Sequence, residues 1–163
     1  MGKNSNIAAL DQRVLIFPAQ TPKVSDKQIY FLFSLRQMED IIMESAVLPV
    51  PLAPPYLEGI TEWREHVVPV VSLEMCLGLK TQNFPNAQRL MVVKAAQRDA
   101  AQTGDHRIMV RVVPPIRMVS LPIECTPVSG EWIPARYLAK GVYQWESGFI
   151  VVAHMENILF EGN

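Results

Sequence analysis

The side chains able to do chemistry in this sequence are few and poorly spaced for it. His66, His106 and His154 stand far apart, and none has a Cys, Asp or Glu at the separations zinc ligands keep. No metal site is expected. His66, in the run Arg-Glu-His-Val-Val beside a turn, reads as an exposed loop residue, His106 as part of a polar loop, and His154 as a half-buried residue ending an apolar strand. A catalytic nucleophile would need a Ser or Cys on a strained turn with a general base nearby. No such pattern occurs, and Ser129, in Pro-Val-Ser-Gly-Glu-Trp, reads as a loop residue. The eight glycines are scattered and form neither phosphate-cradling pattern, GxxxxGK or GxGxxG. Glu39 and Asp40 are neighbours, which on a strand sends them to opposite faces, each solvated. Cys76 and Cys125 carry no disulfide framework and read as reduced thiols, with Cys76 buried. Catalytic groups often converge from distant positions, so missing motifs weigh little alone. The expectation is no catalytic residue, no enzyme and no cofactor.

The elements that would position any site are strands. Apolar stretches rich in Val, Ile, Phe and Tyr, each cut short by Pro, Gly or polar clusters, recur along the whole chain. The expected strands are Arg13 to Phe17, Gln28 to Leu35, Met38 to Ile42, Gly59 to Trp63, Val67 to Val71, Arg89 to Ala95, Arg107 to Val113, Ile116 to Leu121 and Gly148 to His154. Short helices are expected at Ser72 to Leu77 closing at Gly78, at Pro134 to Leu138 and at Met155 to Phe160. The 13 prolines concentrate in Val47 to Tyr56 and at Pro114 and Pro115. Lacking an amide proton, they must lie at sheet edges or in connections. Gln20 to Lys27 and Gln97 to Asp105 read as exposed polar connections, and residues 1–11 as a disordered tail ahead of one domain over 12–163. No internal repeat is visible.

Composition narrows the function classes. The chain has 163 residues, enough for one compact unit, and 49% of them are hydrophobic, ample for a core. With 15 basic against 16 acidic residues the net charge is -1, so no excess of positive charge exists to neutralise phosphates, and nucleic acid is not an expected partner. Every apolar run is broken long before the roughly 20 residues a membrane helix needs. No signal peptide or lipid anchor is read at the start, and a cytoplasmic location is expected.

The stretch Pro51 to Leu79, PLAPPYLEGITEWREHVVPVVSLEMCLGL, holds the most information. Pro54 and Pro55 stiffen an entry turn that Tyr56 and Leu57 can anchor on a core. Gly59 permits close backbone approach, and Ile60 to Trp63 form a strand. Arg64 to His66 make a tight connection, Val67 to Val71 return, and Ser72 caps a short helix. This segment resembles the signature of the CheW-like domain family: Pro51, Ala53, Pro54, Pro55, Tyr56, Gly59, Arg64, Val68, Pro69, Val70, Leu73, Leu77 and Gly78 fall in register with it. DQRVLIFPA is similar to the family's first strand, QIYFLFSL to its second, and MEDII to the acidic stretch after it. The runs downstream, including the Tyr137 to Gly141 turn, keep the family's order. The resemblance implies an all-β fold of two intertwined five-stranded SH3-like β-barrels with short helices.

It also implies a function. In the family one barrel docks on the matching domain of a CheA-type histidine kinase, and the region around the groove between the barrels grips the tip of a methyl-accepting chemoreceptor. The implied role is a non-catalytic adaptor in chemosensory signalling. On that basis Arg64 is the leading protein-binding residue, because a guanidinium at a hairpin tip can grip a carboxylate with two hydrogen bonds. Trp63 is read either as an aromatic anchor or as core. Met38, Asp40 and Ile42 are expected to alternate on one strand face as receptor contacts, and Glu65 joins them at the turn. Four departures stand out: Glu65 replaces a usual Gly, Ser72 a usual Asp, His154 a usual Asp, and an Asp is lacking near Arg111 or Val113. They raise a second reading, an accessory adaptor of a type IV pilus or other alternative chemosensory system. A small-ligand-binding β-barrel or an enzyme is the remaining alternative, and it would need a closed pocket with convergent polar groups.

Overall fold

The structure, a computed structural model, describes residues 12–43, 46–82, 89–95 and 106–160. The expected tail over residues 1–11 and the connection over 97–105 lie outside the described residues. The described strands are β1 (Arg13–Pro18), β2 (Gln28–Ser34), β3 (Met38–Met43), β4 (Leu57–Trp63), β5 (His66–Val71) and β6 (Arg89–Ala95). They continue as β7 (His106–Val112), β8 (Arg117–Ser120), β9 (Thr126–Pro127), β10 (Ala139–Trp145) and β11 (Gly148–Ala153). Two short helices, α1 (Leu73–Cys76) and α2 (Met155–Phe160), and a 3-10 turn at Arg136–Leu138 complete the described elements.

The all-β expectation holds, in two sheets. One has the order β8-β1-β2-β11-β10-β9 and the other β3-β6-β7-β5-β4. The middle of the chain thus forms the second sheet while both flanks build the first, which is the intertwining the resemblance implied. The first sheet gains a sixth member only through the two-residue β9. β10 is absent from the sequence reading, although it joins β9 and β11 in the first sheet. Its sequence, AKGVYQW, mixes Lys, Gly and Gln with the apolar residues, which hides the alternation.

Burial on both faces explains the most apolar runs. In β6, Leu90 and Val92 point into one small cluster with Trp63, Val68, Val70 and Met109, while Met91 and Val93 point into the main core. In β1, Val14 and Ile16 join a third cluster with Trp145 and Ile150, while Leu15 and Phe17 face the main core. Side chains alternate across a strand, so an uninterrupted run such as Val-Leu-Ile-Phe feeds two cores at once. Each curled sheet has its own small interior, and the main core lies where the two sheets pack back to back.

The two sheets also repeat one plan. Taken as β8-β1-β2-β11-β10 and β3-β6-β7-β5-β4, both pair antiparallel, antiparallel, parallel, antiparallel. The sequence shows no internal repeat because the order of strands along the chain is permuted between the halves.

One connection departs from expectation. Gln20 and Thr21 are buried, and the Gln20 backbone N–H donates to Glu74 Oε1 at 3.0 Å. Residues 20–27 are therefore partly pinned to α1, and they close on a tight turn at Ser25 and Asp26 (φ 51° and 60°) between the bridged Val24 and Lys27.

Candidate protein-docking site

The β4–β5 hairpin is closed by two residues, Arg64 and Glu65, with Trp63 opposite His66. Both turn residues have positive φ, 47° and 66°. This is the geometry a two-residue hairpin favours because its twist matches the strands, and it usually recruits Asn or Gly. Here two long charged side chains are held outward instead.

Beneath the turn the Trp63 indole is buried, and its Nε1–H donates to Asp40 Oδ2 at 3.1 Å. The Arg64 guanidinium carbon lies 4.6 Å from the centre of the same ring, and that of Arg107 at 5.6 Å. Arg64 Nη2 comes within 3.9 Å of Asp40 Oδ2, beyond hydrogen-bond range. Its side chain remains 69% exposed against 34% for Asp40. Asp40, on edge strand β3, and Trp63, on edge strand β4, join the two edges of the second sheet through side chains.

Glu39 and Asp40 are thus not simply solvated. Glu39 accepts from both Arg107 Nε (2.5 Å) and Arg107 Nη2 (3.2 Å), a two-pronged pair in which both side chains are largely covered. The expectation that Met38, Asp40 and Ile42 share one face is also overturned. The β3–β6 register shifts between Met38 and Asp40, so Met38 lies opposite Val93 and Asp40 opposite Val92. That bulge turns Met38 toward the main core with Ile41, whereas Ile42 packs on the small cluster with Trp63. Structure therefore gathers Trp63, Arg64, Asp40 and Ile42 into one site, places Glu65 exposed at its tip, and sends Met38 elsewhere.

Two features escaped the sequence reading. Leu48 is bridged to Ile60, which lies opposite Pro69, and Val67 follows on the same outer side of the hairpin. Leu48 and Val67 are 64% and 71% exposed, an apolar row beside the charged tip. Strand alternation could have found Val67, because Val68 is buried and the residue before it points to the other face. The second is Glu74. Ser72 caps α1 as expected, its Oγ accepting from the Met75 N–H at 3.3 Å, but it also donates to Glu74 Oε2 at 3.3 Å. Burial pushes the Glu74 carboxyl above the usual carboxylate range, against hydrogen bonds from Gln20, its own backbone and Ser72 that pull it down, and with Glu58 nearby adding to the rise.

The departures from the family pattern have local partners. Arg111, where an acidic residue was expected nearby, pairs with Glu58 at 2.6 Å. His154 stands before α2, where its Nδ1 accepts from the Asn157 N–H at 3.3 Å. Burial pushes the Cys76 thiol up to about 12, with Glu74 adding to the effect, so it is a poor nucleophile at neutral pH. Among the described residues no group of three or more His, Cys, Asp or Glu side chains could hold a metal ion, and no helix is long and apolar enough to cross a membrane.

Comparison with known proteins agrees with this architecture. The family model for the CheW-like domain matches residues 21–160. The chain is 24% identical over 129 residues to the chemotaxis protein CheW of Thermotoga maritima, covering 79% of this chain and 80% of that protein. The crystal structure of the scaffolding protein TtCheW from Thermoanaerobacter tengcongensis superimposes with a TM-score of 0.64 at 14% identity. That match covers 91% of this chain and 87% of the other, and it shows the fold.

Proposed function

We propose that this chain, which belongs to the CheW-like domain family, is a non-catalytic adaptor coupling a methyl-accepting chemoreceptor to a CheA-type histidine kinase. The observation that carries the reading is Arg64. Its backbone is fixed by the hairpin turn, its guanidinium rests over Trp63, and most of its surface faces solvent. Asp40 is close enough to orient it and too far to use up its donors. An acidic group on a partner would meet a positive charge whose position is already set, which lowers the ordering cost of binding.

The mechanism needs no bond-making step. A receptor tip held at the Arg64 corner and a kinase domain held on an apolar surface would share one rigid body, because both sheets pack on the same main core. A shift in one partner then changes the other through geometry. The exposed row of Leu48 and Val67 beside the corner supplies apolar area suited to a protein contact.

A second reading, an accessory adaptor of a type IV pilus or other alternative chemosensory system, is favoured by the tip itself. Glu65 puts a negative charge beside Arg64 where the family pattern has a hydrogen, so the acidic surface that suits the usual site is partly repelled here. Affinity capture with a CheA-type kinase and with receptor cytoplasmic fragments, repeated with Arg64→Glu, separates the readings. The adaptor reading expects receptor binding to weaken roughly tenfold or more on charge reversal while kinase binding persists. A chain that binds neither protein contradicts it, and one that binds a kinase without the standard receptor selects the accessory form.

A further inference from the structure

The two half-folds share a plan, and at one corner they differ in the sign of their charges. Trp63 ends β4 and Trp145 ends β10, the strands that match when the two sheets are aligned, and both rings are buried beneath a two-residue hairpin turn. The residue that follows has positive φ in each case, 47° at Arg64 and 50° at Glu146. A guanidinium covers each ring, Arg64 at 4.6 Å from the centre of Trp63 and Arg117 at 4.7 Å from that of Trp145. The polarity is reversed between them. In the second sheet the arginine is at the turn and the acid, Asp40, on the edge strand β3; in the first sheet the acid, Glu146, is at the turn and Arg117 on the edge strand β8.

We propose that the Arg64–Glu65 tip of one copy docks on the Arg117–Glu146 corner of a second copy of this chain, Arg64 meeting Glu146 and Glu65 meeting Arg117. The charges match pair by pair, and they are accessible: the side chains of Arg64, Arg117 and Glu146 are 69%, 46% and 54% exposed. Arg117 grips Glu146 with two hydrogen bonds, at 3.0 and 3.2 Å. That leaves about half of the lone pairs on Glu146 and about three of the five N–H donors on Arg117 for a neighbour. Glu65 is the second observation. It holds a left-handed conformation, and no hydrogen bond or ion pair among the described residues engages its carboxylate. The contact gives that charge a partner. Tip and corner are different surfaces of one chain, so each copy can use its tip on one neighbour and its corner on another, in an open or closed series. Exposed ion pairs contribute little singly, which makes the association weak and salt-sensitive. The inference stands apart from the adaptor reading, because it concerns the chain alone.

Sedimentation velocity of the full chain over a range of concentrations, at about 50 and about 500 mM salt, tests it. The unaltered chain is expected to show a sedimentation coefficient that rises with concentration at low salt and stays monomeric at high salt. Two variants reverse one side each, Arg64→Glu/Glu65→Arg at the tip and Arg117→Glu/Glu146→Arg at the corner. Each alone is expected to associate at least roughly tenfold more weakly, since like charges then meet. Mixed in equal amounts they should associate again, because the reversed tip fits the reversed corner, and this rescue also shows that both variants are folded. An unaltered chain that stays monomeric at low salt, variants that associate as it does, or a mixture that stays monomeric would each overturn the proposal.

Discussion

Arg64 and Glu65 both sit in backbone conformations that disfavour side chains, at a cost on the order of 1–2 kcal/mol per residue. At Arg64 that cost positions a guanidinium. At Glu65 no hydrogen bond or ion pair among the described residues offsets it, so Glu65→Gly is expected to stabilise the protein by about 1 kcal/mol. The melting temperature should rise by roughly 2–4 °C. Differential scanning calorimetry checks this, and a fall would show that Glu65 makes a compensating contact. Glu74 gives a prediction in the pH dimension. Its folded pKa is raised, chiefly by burial, so the fold binds its proton more tightly than the unfolded chain does. Its contribution is fully present below the ordinary carboxylate value near 4.5 and is lost as pH climbs through the raised value. Glu74→Gln keeps an oxygen for the Gln20 N–H and removes the titration. In urea melts the stability of the Gln variant relative to the unaltered chain should therefore improve as pH rises from 4 toward 8; a difference that does not change with pH would contradict the assignment.

At the scale of elements, the proline-rich strap ahead of β4 closes the second sheet, and Gly59 lets it do so. A β-carbon there would collide with the Leu48 carbonyl oxygen and meet Val47 Cγ1 at 2.8 Å. Gly59→Ala is expected to cost about 1–3 kcal/mol by pushing the strap off Ile60, read as a lowered urea midpoint at unchanged slope. No loss would mean the strap moves freely. The hairpin, its glycine and the Ser72 cap were legible because each depends on residues adjacent in sequence: Pro stiffens, Gly admits a neighbour, Ser reaches three residues on. The bulge that turns Met38 away from Asp40 was not legible, since it is set by how β3 pairs with β6, some 50 residues downstream. Neither was the fixing of Gln20, which depends on Glu74 across the main core. The Asp40–Trp63 link is equally non-local, and only the resemblance had drawn both residues into one candidate site.

Across the whole molecule, two similar sheets share one core, and the candidate site lies where the second sheet's edges meet. The all-β class was readable from short apolar strands, and the intertwined order from the resemblance. The duplication was not, because permuted strand order leaves no periodicity along the chain. This architecture suits a rigid two-sided holder, and the central claim is that the chain connects a receptor to a kinase. The direct measurement is sedimentation of a CheA-type kinase with membranes bearing a methyl-accepting chemoreceptor, with and without the chain. The account predicts that the kinase pellets only when the chain is present, and that with Arg64→Glu it stays in the supernatant bound to the variant. Kinase recovery in the pellet that is unaffected by the chain would contradict it.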